Sequence, residues 1–291
     1  MPQFKKIYLE ITNRCNLSCD FCPSSKLNRR GTIMKVADFQ SIIQRLQPYT
    51  KHLYFHLLGE PLLHPKLETL LQISEAAGMQ VNLTTNGTLI KKREQALIVN
   101  NALRQINFSL HSFEANQLNQ RITDYLTDIV AFIKMIQSKR LVYCSLRLWN
   151  MDRQQLQAKN TLNQQILTFI EQAFQLDFKL KEVLQNKQQI KLKDGIYLHL
   201  AEKFQWPALE LNIISEQMFC HGLRDHLAIQ VDGTVVPCCL DSEGNIPLGN
   251  IFENSLNEIL NSERAKSIYD GFSKRQAVEA LCKRCGYATR F

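Results

Sequence analysis

Three cysteines lie within eight residues near the start of the chain, directly after a strand-like segment at residues 6–12. Their spacing is Cys15-Asn-Leu-Ser-Cys19-Asp-Phe-Cys22. Three thiolates can hold three irons of a cubane iron–sulfur cluster, whereas electron carriers usually have a cysteine on every iron. We therefore expect a non-protein ligand on the fourth iron. A zinc knuckle is the competing interpretation, but zinc sites usually have a second ligand pair nearby, and no Cys or His follows until His52.

The spacing of these cysteines, with the aromatic Phe21 just before the third, resembles the signature of the radical SAM superfamily. The resemblance implies that Cys15, Cys19 and Cys22 hold a [4Fe–4S] cluster whose open iron chelates S-adenosylmethionine (SAM). It implies that an electron from the cluster cleaves SAM into methionine and a 5′-deoxyadenosyl radical. It also implies that Phe21 lies against the adenine.

The first half of the chain alternates strand patterns with helical patterns, and short loops join them. Repeated β-α units of this kind predict parallel strands with right-handed crossovers. A barrel and an open doubly wound sheet both fit, and in both the functional groups gather where strands end. The resemblance favours an α/β fold with a partial (β/α)6, TIM-like barrel. Strands are predicted at residues 6–12, 52–58, 80–85, 104–111, 142–149 and 178–184, and helices at 34–46, 65–77, 90–102, 118–138 and 162–174.

The pattern changes after about residue 204. Two β-like runs flank Asp232-Gly233, which is a strong hairpin signal, and an amphipathic helix is predicted at residues 255–269. The sequence then closes with Cys282-Lys-Arg-Cys285. We therefore predict two domains, a barrel at residues 1–204 and a small hairpin-plus-helix domain at 205–291.

A second cysteine set belongs to this C-terminal domain, with the spacing C-x17-C-x43-C-x2-C. Four cysteines satisfy either tetrahedral zinc or all four irons of a cubane, so the residues alone leave zinc and cluster open. The layout resembles the twitch module, a shortened SPASM domain with one auxiliary [4Fe–4S] cluster, found in a radical SAM dehydrogenase of aminocyclitol biosynthesis. Cys239 is an alternative ligand to its neighbour Cys238, and Cys144 is predicted to be a small buried side chain. The predicted auxiliary ligands are Cys220, Cys238, Cys282 and Cys285.

Further residues resemble the SAM contacts of the family. Gly59-Glu60-Pro61 resembles a Gly-Gly-Glu-Pro motif whose backbone and Glu receive the SAM ammonium, although Leu58 replaces the first glycine. Glycine permits close backbone approach, and proline favours an extended residue before it. Asn86 is interpreted either as a SAM contact or as a turn residue. Ser109 and Arg121 resemble the pair that binds the SAM ribose and carboxylate, since the guanidinium fork suits a carboxylate.

Charge, hydropathy and cysteine count limit the partners and the cellular location that we expect for the protein. The net charge is +8, but Lys and Arg are dispersed, so solvated faces are favoured over a nucleic-acid surface. A basic surface also suits an acidic electron donor such as flavodoxin or ferredoxin. The sequence lacks a run of 18 apolar residues and a signal-peptide core, and its nine cysteines favour metal ligation over disulfides. We expect a cytoplasmic protein that binds neither membrane nor nucleic acid.

Together these patterns predict an enzyme that abstracts hydrogen from a substrate and oxidises it with help from an auxiliary cluster. The sequence offers little room before the first strand for a peptide-binding domain, which favours a small molecule. Peptide or protein modification is the alternative, and a non-catalytic electron carrier or sensor and a zinc-stapled interaction protein are alternatives of other classes. No general base is identified. Candidate substrate contacts are Glu10, His56, His111, Arg147 and Asn150.

Overall fold

The fold is described from a computed structural model, which covers residues 4–29, 31–116, 120–150, 162–184, 187–203 and 205–291. The chain forms two compact units that are not consecutive in sequence. Unit 1 comprises Met1–Asn16, Phe21–Val81 and Phe204–Phe291, and unit 2 comprises Leu17–Asp20 and Asn82–Lys203. Strand β3, Gln80–Thr85, carries the chain from unit 1 into unit 2.

Unit 1 is built on a mixed sheet. Strand β1 pairs in parallel with β2 on one side and with β8 on the other, and the antiparallel β9 and β10 follow β8. The strands are β1 Lys6–Leu9, β2 His52–Phe55, β8 His226–Ile229, β9 Thr234–Val236 and β10 Gly249–Asn250, and the helices are α1 Val36–Leu46, α2 Leu67–Ala76, α7 Leu256–Asn261 and α8 Glu263–Ser273. Short 3₁₀ helices occupy Pro23–Lys26, Pro61–Leu63, Cys282–Arg284 and Ala288–Arg290.

The two faces of β1 and β2 differ because successive side chains of a strand point to opposite faces. Ile7, Leu53 and Phe55 are buried, and the Phe55 ring contacts Phe39 of α1, with 5.7 Å between ring centroids. The apolar face of these strands therefore lies under the helices. The half-buried residues at alternate positions, among them Tyr8, form the opposite face.

Unit 2 continues the β-α alternation. Its strand order is β3-β4-β5-β7-β6, in which β4, β5 and β7 are parallel and β6 is antiparallel to β7. The strands are β4 Leu103–Ser109, β5 Tyr143–Leu148, β6 Gln189–Lys193 and β7 Ile196–Leu200, and the helices are α3 Ile90–Ile98, α4 Ile122–Lys139, α5 Leu162–Ala173 and α6 Leu180–Val183, with a 3₁₀ turn at Leu110–Ser112. Cys144 is buried in β5, as predicted.

Most predicted elements are confirmed with shorter ends, but the strand predicted at residues 178–184 is wrong. That segment contains α6, whose first backbone N–H, from Leu180, donates to the Glu171 carboxylate at 2.7 Å. The sixth parallel strand is β7 instead, and a turn containing Asp194-Gly195 joins it to β6. Gly195 has a φ of +71°, which a hairpin turn requires and glycine supplies without steric cost. For the helix predicted at 118–138, residues 117–119 lie outside the described residues, as do 151–161 of the polar central segment.

The helix predicted at residues 255–269 is two helices, α7 and α8. The chain bends at Ser262, which has a φ of −59° and a ψ of 152°, and its side chain accepts from the Ala265 backbone. A serine that accepts from the N3 amide is a strong helix start, so the second helix begins with its own cap. Within the described residues, no helix is long and apolar enough to cross a membrane. The predicted domain boundary between residues 204 and 205 remains a prediction.

Candidate functional site

The Gly59–Glu60 loop packs against the backbone that leads into Cys15. The Glu60 backbone N–H donates to the Arg14 carbonyl at 2.7 Å. Gly59 has a φ of +75°, and a Cβ there would lie 2.5 Å from the Thr12 carbonyl oxygen and 2.8 Å from that of Arg14. Only glycine fits so close an approach. This close approach is between two segments of the chain itself, and the predicted contact of Gly59 with SAM stays a prediction.

Glu60 is buried and its backbone is extended, with a φ of −118° and a ψ of 106°. Its side chain accepts from the Leu62 backbone at 2.9 Å and so caps the short 3₁₀ helix Pro61–Leu63. The carboxylate thus has a fixed orientation within unit 1. Its predicted contact with the SAM ammonium remains a prediction.

Glu10 at the end of β1 has a structural role that its sequence position did not reveal. Its fully buried carboxylate accepts from Arg29 at 2.6 and 3.0 Å and from the Val231 backbone at 3.0 Å. The Arg29 Nε also donates to the Ser242 carbonyl at 2.8 Å. Glu10 and Arg29 thus join the segment after the first cysteines to the segment after Cys238. The suggestion that Glu10 contacts substrate is corrected, because protein groups bind its carboxylate oxygens.

Cys19 lies in unit 2, where Asn116 donates from Nδ2 to the Cys19 sulfur at 3.1 Å. The Asn116 Oδ1 accepts from the Ser18 backbone at 2.8 Å. Burial raises the pKa of Cys19, and the bond from Asn116 opposes that rise. Asn116 belongs to no recognised motif and lies 97 residues from Cys19 along the chain. Cys15, Phe21 and Cys22 belong to unit 1, and the roles predicted for these four residues stay predictions.

The other predicted SAM contacts lie in unit 2. Asn86 is buried, and its Oδ1 accepts from the Thr88 backbone and hydroxyl at 3.0 and 2.7 Å, so the turn interpretation is confirmed. Ser109 ends β4 and its carbonyl accepts from Ser112. Arg121 lies just before α4, where its exposed guanidinium pairs with Asp124 at two distances of 3.0 Å. Contact of Asn86, Ser109 and Arg121 with SAM stays a prediction.

The polar residues suggested as substrate contacts in unit 2 have protein partners. The Nδ1 of His111 lies 3.2 Å from the Arg147 carbonyl. Burial lowers the pKa of His111 to about 4, so the ring is neutral at pH 7. Asn150 pairs with Asn163 at 3.4 Å. These contacts explain the positions of the side chains without a substrate.

The C-terminal cysteines lie close enough to perturb one another. Burial raises the pKa of Cys238 well above its ordinary value, and the thiols of Cys239, Cys220, Cys282 and Cys285 raise it further. Burial, the thiols of Cys220 and Cys285 and the carboxylates of Glu279 and Asp241 also raise the pKa of Cys282. Crowded, buried thiols resist ionisation. Metal ligands must be deprotonated, and the positive charge of bound iron would offset the repulsion between the resulting thiolates. This donor set fits an iron–sulfur cluster.

Cys239 differs from its neighbour in its surroundings. The Tyr8 hydroxyl is hydrogen bonded to its thiol, and burial raises the thiol pKa to about 11. Cys239 packs, together with Tyr8 and Cys22, on an apolar cluster of unit 1. We call this group of buried residues the apolar cluster: Leu27, Leu57, Leu58, Ala228 and Val236.

Leu58, which stands where the motif has glycine, is one of the buried members of the apolar cluster. Its side chain therefore fills space between segments that carry Cys22 and Cys239. Among the described residues, no three His, Cys, Asp or Glu side chains lie close enough to bind one metal ion together. A cubane is larger than a single ion and takes one cysteine per iron, so its cysteines can lie further apart.

Two family models match the chain. The model described as the radical SAM superfamily matches residues 9–163, more than half of the chain. The chain belongs to the radical SAM superfamily. The model of the SPASM iron–sulfur cluster-binding domain matches residues 220–286, which contain all four C-terminal cysteines. The chain therefore carries a radical SAM domain, which binds a [4Fe–4S] cluster and SAM, and a SPASM domain, which binds auxiliary iron–sulfur clusters.

Individual curated relatives match only part of the chain. The tungsten-containing aldehyde ferredoxin oxidoreductase cofactor-modifying protein of Pyrococcus furiosus is 34% identical over 88 residues, 30% of this chain and 25% of that protein. The chain spans from a quarter to less than half of the length of the first curated relatives it matches. These relatives therefore do not transfer a substrate to it.

Solved structures show the fold. BtrN in complex with AdoMet and 2-DOIA matches with a TM-score of 0.54 at 17% identity, covering 98% of this chain and 94% of that one. SuiB of Streptococcus suis, bound to the precursor peptide SuiA, matches with a TM-score of 0.62 at 17% identity, covering 98% and 70%. The predicted α/β class, a partial TIM-like barrel with a C-terminal SPASM domain, is confirmed.

Proposed function

We propose that this radical SAM enzyme abstracts a hydrogen atom from its substrate and completes a net oxidation with the auxiliary cluster as electron acceptor. The observation that supports the proposal is the match of residues 220–286 to the SPASM iron–sulfur cluster-binding domain, together with the electrostatic influence of Cys220, Cys282 and Cys285 on the buried Cys238. When bound, the cofactors supply a 5′-deoxyadenosyl radical and a site that takes up the electron of the oxidised substrate. The protein binds, orients and shields these groups.

The residues of the chain have separate tasks in this proposal. Cys15, Cys19 and Cys22 hold the cluster that cleaves SAM, and Phe21 packs against adenine. The Gly59–Glu60 loop, fixed against the backbone before Cys15, receives the SAM ammonium. The remaining SAM contacts are Asn86, Ser109 and Arg121. The auxiliary ligands are Cys220, Cys238, Cys282 and Cys285.

The substrate is a small molecule or a peptide. BtrN was crystallised with 2-DOIA, whereas SuiB was crystallised with a precursor peptide, and both share the fold. A net oxidation also needs the SAM cluster to be reduced for each turnover, and we propose an acidic flavodoxin or ferredoxin for this, given the net charge of +8.

The test begins with anaerobic reconstitution of the full chain. We expect about eight irons and eight sulfides per chain, as two cubanes require. Incubation with SAM and dithionite should then produce 5′-deoxyadenosine, and a correct substrate should increase it and yield an oxidised product. Zinc with little sulfide, or no 5′-deoxyadenosine from protein that carries the clusters, would refute the proposal. A product that keeps its oxidation state, such as a rearranged peptide, would refute the oxidation alone.

A further inference from the structure

The face of the unit 1 sheet that lies opposite the helices carries an unusual set of side chains. Lys6 and Tyr8 lie two residues apart on β1, and Tyr54 occupies the corresponding place on β2, paired in register with Tyr8. All three are half-buried. The Lys6 Nζ lies 5.4 Å from the ring centroid of Tyr8 and 5.7 Å from that of Tyr54. The Lys6 ammonium therefore lies near both rings, whose centroids are themselves 5.4 Å apart.

Aromatic side chains on neighbouring strands lie around the Tyr8 ring. The Tyr8 ring lies 5.4 Å from Tyr54, 6.2 Å from His56 and 5.7 Å from His226, measured between centroids. His226 is the register partner of Lys6 on β8, and burial and the charge of Lys6 lower its pKa to about 3. His226 is therefore neutral at pH 7 and adds no charge of either sign.

Lys6 has no carboxylate partner in the part of the chain that the structure describes. Its neighbour Lys5 pairs with Asp225 at 3.0 Å, but among the described residues no Asp or Glu forms an ion pair with the Lys6 ammonium. Cation–π contacts with two tyrosines stabilise such a charge only modestly. A partly buried cation normally has a counter-charge because desolvating it is costly.

The position of this face also indicates a role in binding. In a (β/α) barrel the helices cover the outside, so the face opposite them is the interior. Tyr8 additionally packs on the apolar cluster on which Cys22 and Cys239 pack. A molecule seated on Tyr8 and Tyr54 would therefore lie beside segments that carry ligands of both predicted clusters.

We propose that Lys6, Tyr8, Tyr54 and His56 form a substrate-binding site that takes an anionic group, with Lys6 as its counter-charge and the rings stacking on a flat part of the substrate. The inference deepens the proposed function, because it names the chemical class of the substrate: a ring-bearing carboxylate or phosphate. Lys6 binds and orients; it has no part in hydrogen abstraction.

The first experiment labels lysines of the reconstituted wild-type protein with acetic anhydride and reads each site by peptide mass spectrometry. The probes are 4-hydroxyphenylacetate, its neutral amide and inorganic phosphate, at equal ionic strength. An anion beside Lys6 should slow its acetylation about ten-fold, the equivalent of about 1.4 kcal/mol, while Lys5 is unaffected. Protection by the carboxylate or by phosphate supports the site and tells which class it takes. Equal protection by the amide, equal protection of Lys5, or no protection overturns it.

The second experiment measures binding of 4-hydroxyphenylacetate, or of phosphate if that protects better, by calorimetry. We expect Lys6→Met to weaken binding about ten-fold or more, whereas Lys6→Arg retains it because the charge remains. Lys5→Met is the matched control and should bind like the wild type. Lys6 also acts electrostatically on the Cys239 thiol, which makes Cys239 the other candidate counter-charge. If Lys6→Met no longer weakens anion binding once Cys239 is replaced by serine, then Lys6 serves Cys239 and the proposal fails.

These measurements read neither 5′-deoxyadenosine nor iron. A protein that binds the anion through Lys6 but never cleaves SAM would refute the proposed function alone. A protein that cleaves SAM normally but shows no anion effect at Lys6 would refute the substrate site alone.

Discussion

The two cysteine sets of this chain are assembled in different ways. Cys15, Cys19 and Cys22 lie within eight consecutive residues of one segment after β1. The C-terminal four come from the segment before β8, the exit of β9 and the turn after α8. Their proximity depends on the folding of the whole C-terminal region. The first set is therefore sensitive mainly to local changes, and the second to packing at a distance.

The largest expected effect separates the two sets by function. Cys19→Ala should abolish formation of 5′-deoxyadenosine and lower iron from about eight to about four per chain. Cys220→Ala should lose a similar amount of iron but keep SAM cleavage, because the auxiliary cluster does not bind SAM. Iron analysis and chromatography of the products measure both. Complete loss of SAM cleavage in folded Cys220→Ala protein would show that the sets are not independent.

The adjacent cysteines after β9 sharpen the comparison within the second set. The thiols of Cys239, Cys220, Cys282 and Cys285 all raise the pKa of Cys238, whereas Cys239 is influenced by Cys220 and is hydrogen bonded to Tyr8. We expect Cys238→Ser to lower iron to about four per chain and Cys239→Ser to retain about eight. The opposite result would make Cys239 the ligand.

The Glu10–Arg29 pair tests whether the two segments depend on each other. Glu10→Gln leaves Arg29 without its counter-charge in a largely buried site, and breaking a buried ion pair costs about 3–5 kcal/mol. Both clusters should then lose iron faster to a chelator, since Arg29 contacts the Ser242 carbonyl as well. Urea unfolding and the rate of iron release measure the two effects.

The exposed pair between Lys5 and Asp225 is the matched control for Glu10→Gln. Lys5→Met should change stability by less than about 1 kcal/mol, as for other surface ion pairs. If Glu10→Gln behaves like Lys5→Met, the buried pair does not hold the segments together.

Gly59 gives a smaller effect that is confined to the first segment. Gly59→Ala requires φ of +75° from alanine and places its Cβ against two backbone carbonyls, so we expect a loss of about 1–3 kcal/mol and weaker SAM binding. Gly31→Ala is the control, since Gly31 has a φ of +95° but no atom within 4 Å of a Cβ there. Denaturation of both variants separates the cost of collision from that of backbone strain. Equal losses of stability in the two variants would show that the collision with the two carbonyls adds nothing to the cost of the backbone strain.

The sequence predicted features that depend on local spacing or on one turn, and it missed features created by distant contacts. The hairpin at Asp232-Gly233 was found, but the one at Asp194-Gly195 was not, although the turn residues are the same. Its edge strand β6 is polar at alternate positions and resembles the polar segment before it. Asn116 and Arg29 carry no motif. In the folded chain Asn116 contacts Cys19 and Arg29 contacts Glu10. Contacts of this kind cannot be predicted from the spacing of residues along the sequence.

The smallest effect on stability is expected at Arg121. The motif predicts that this residue binds the SAM carboxylate, whereas in the structure it pairs with Asp124. The side chain is 81% exposed and pairs with Asp124 three residues further on, so Arg121→Ala should leave the stability of the fold almost unchanged. If Arg121 leaves Asp124 to bind the SAM carboxylate, the same variant should weaken SAM binding about ten-fold. Asp124→Ala is the control, because it frees the guanidinium and should leave SAM binding equal or tighter. SAM affinity that is unchanged in Arg121→Ala would assign this arginine to the helix start alone, and the carboxylate would then need a different partner.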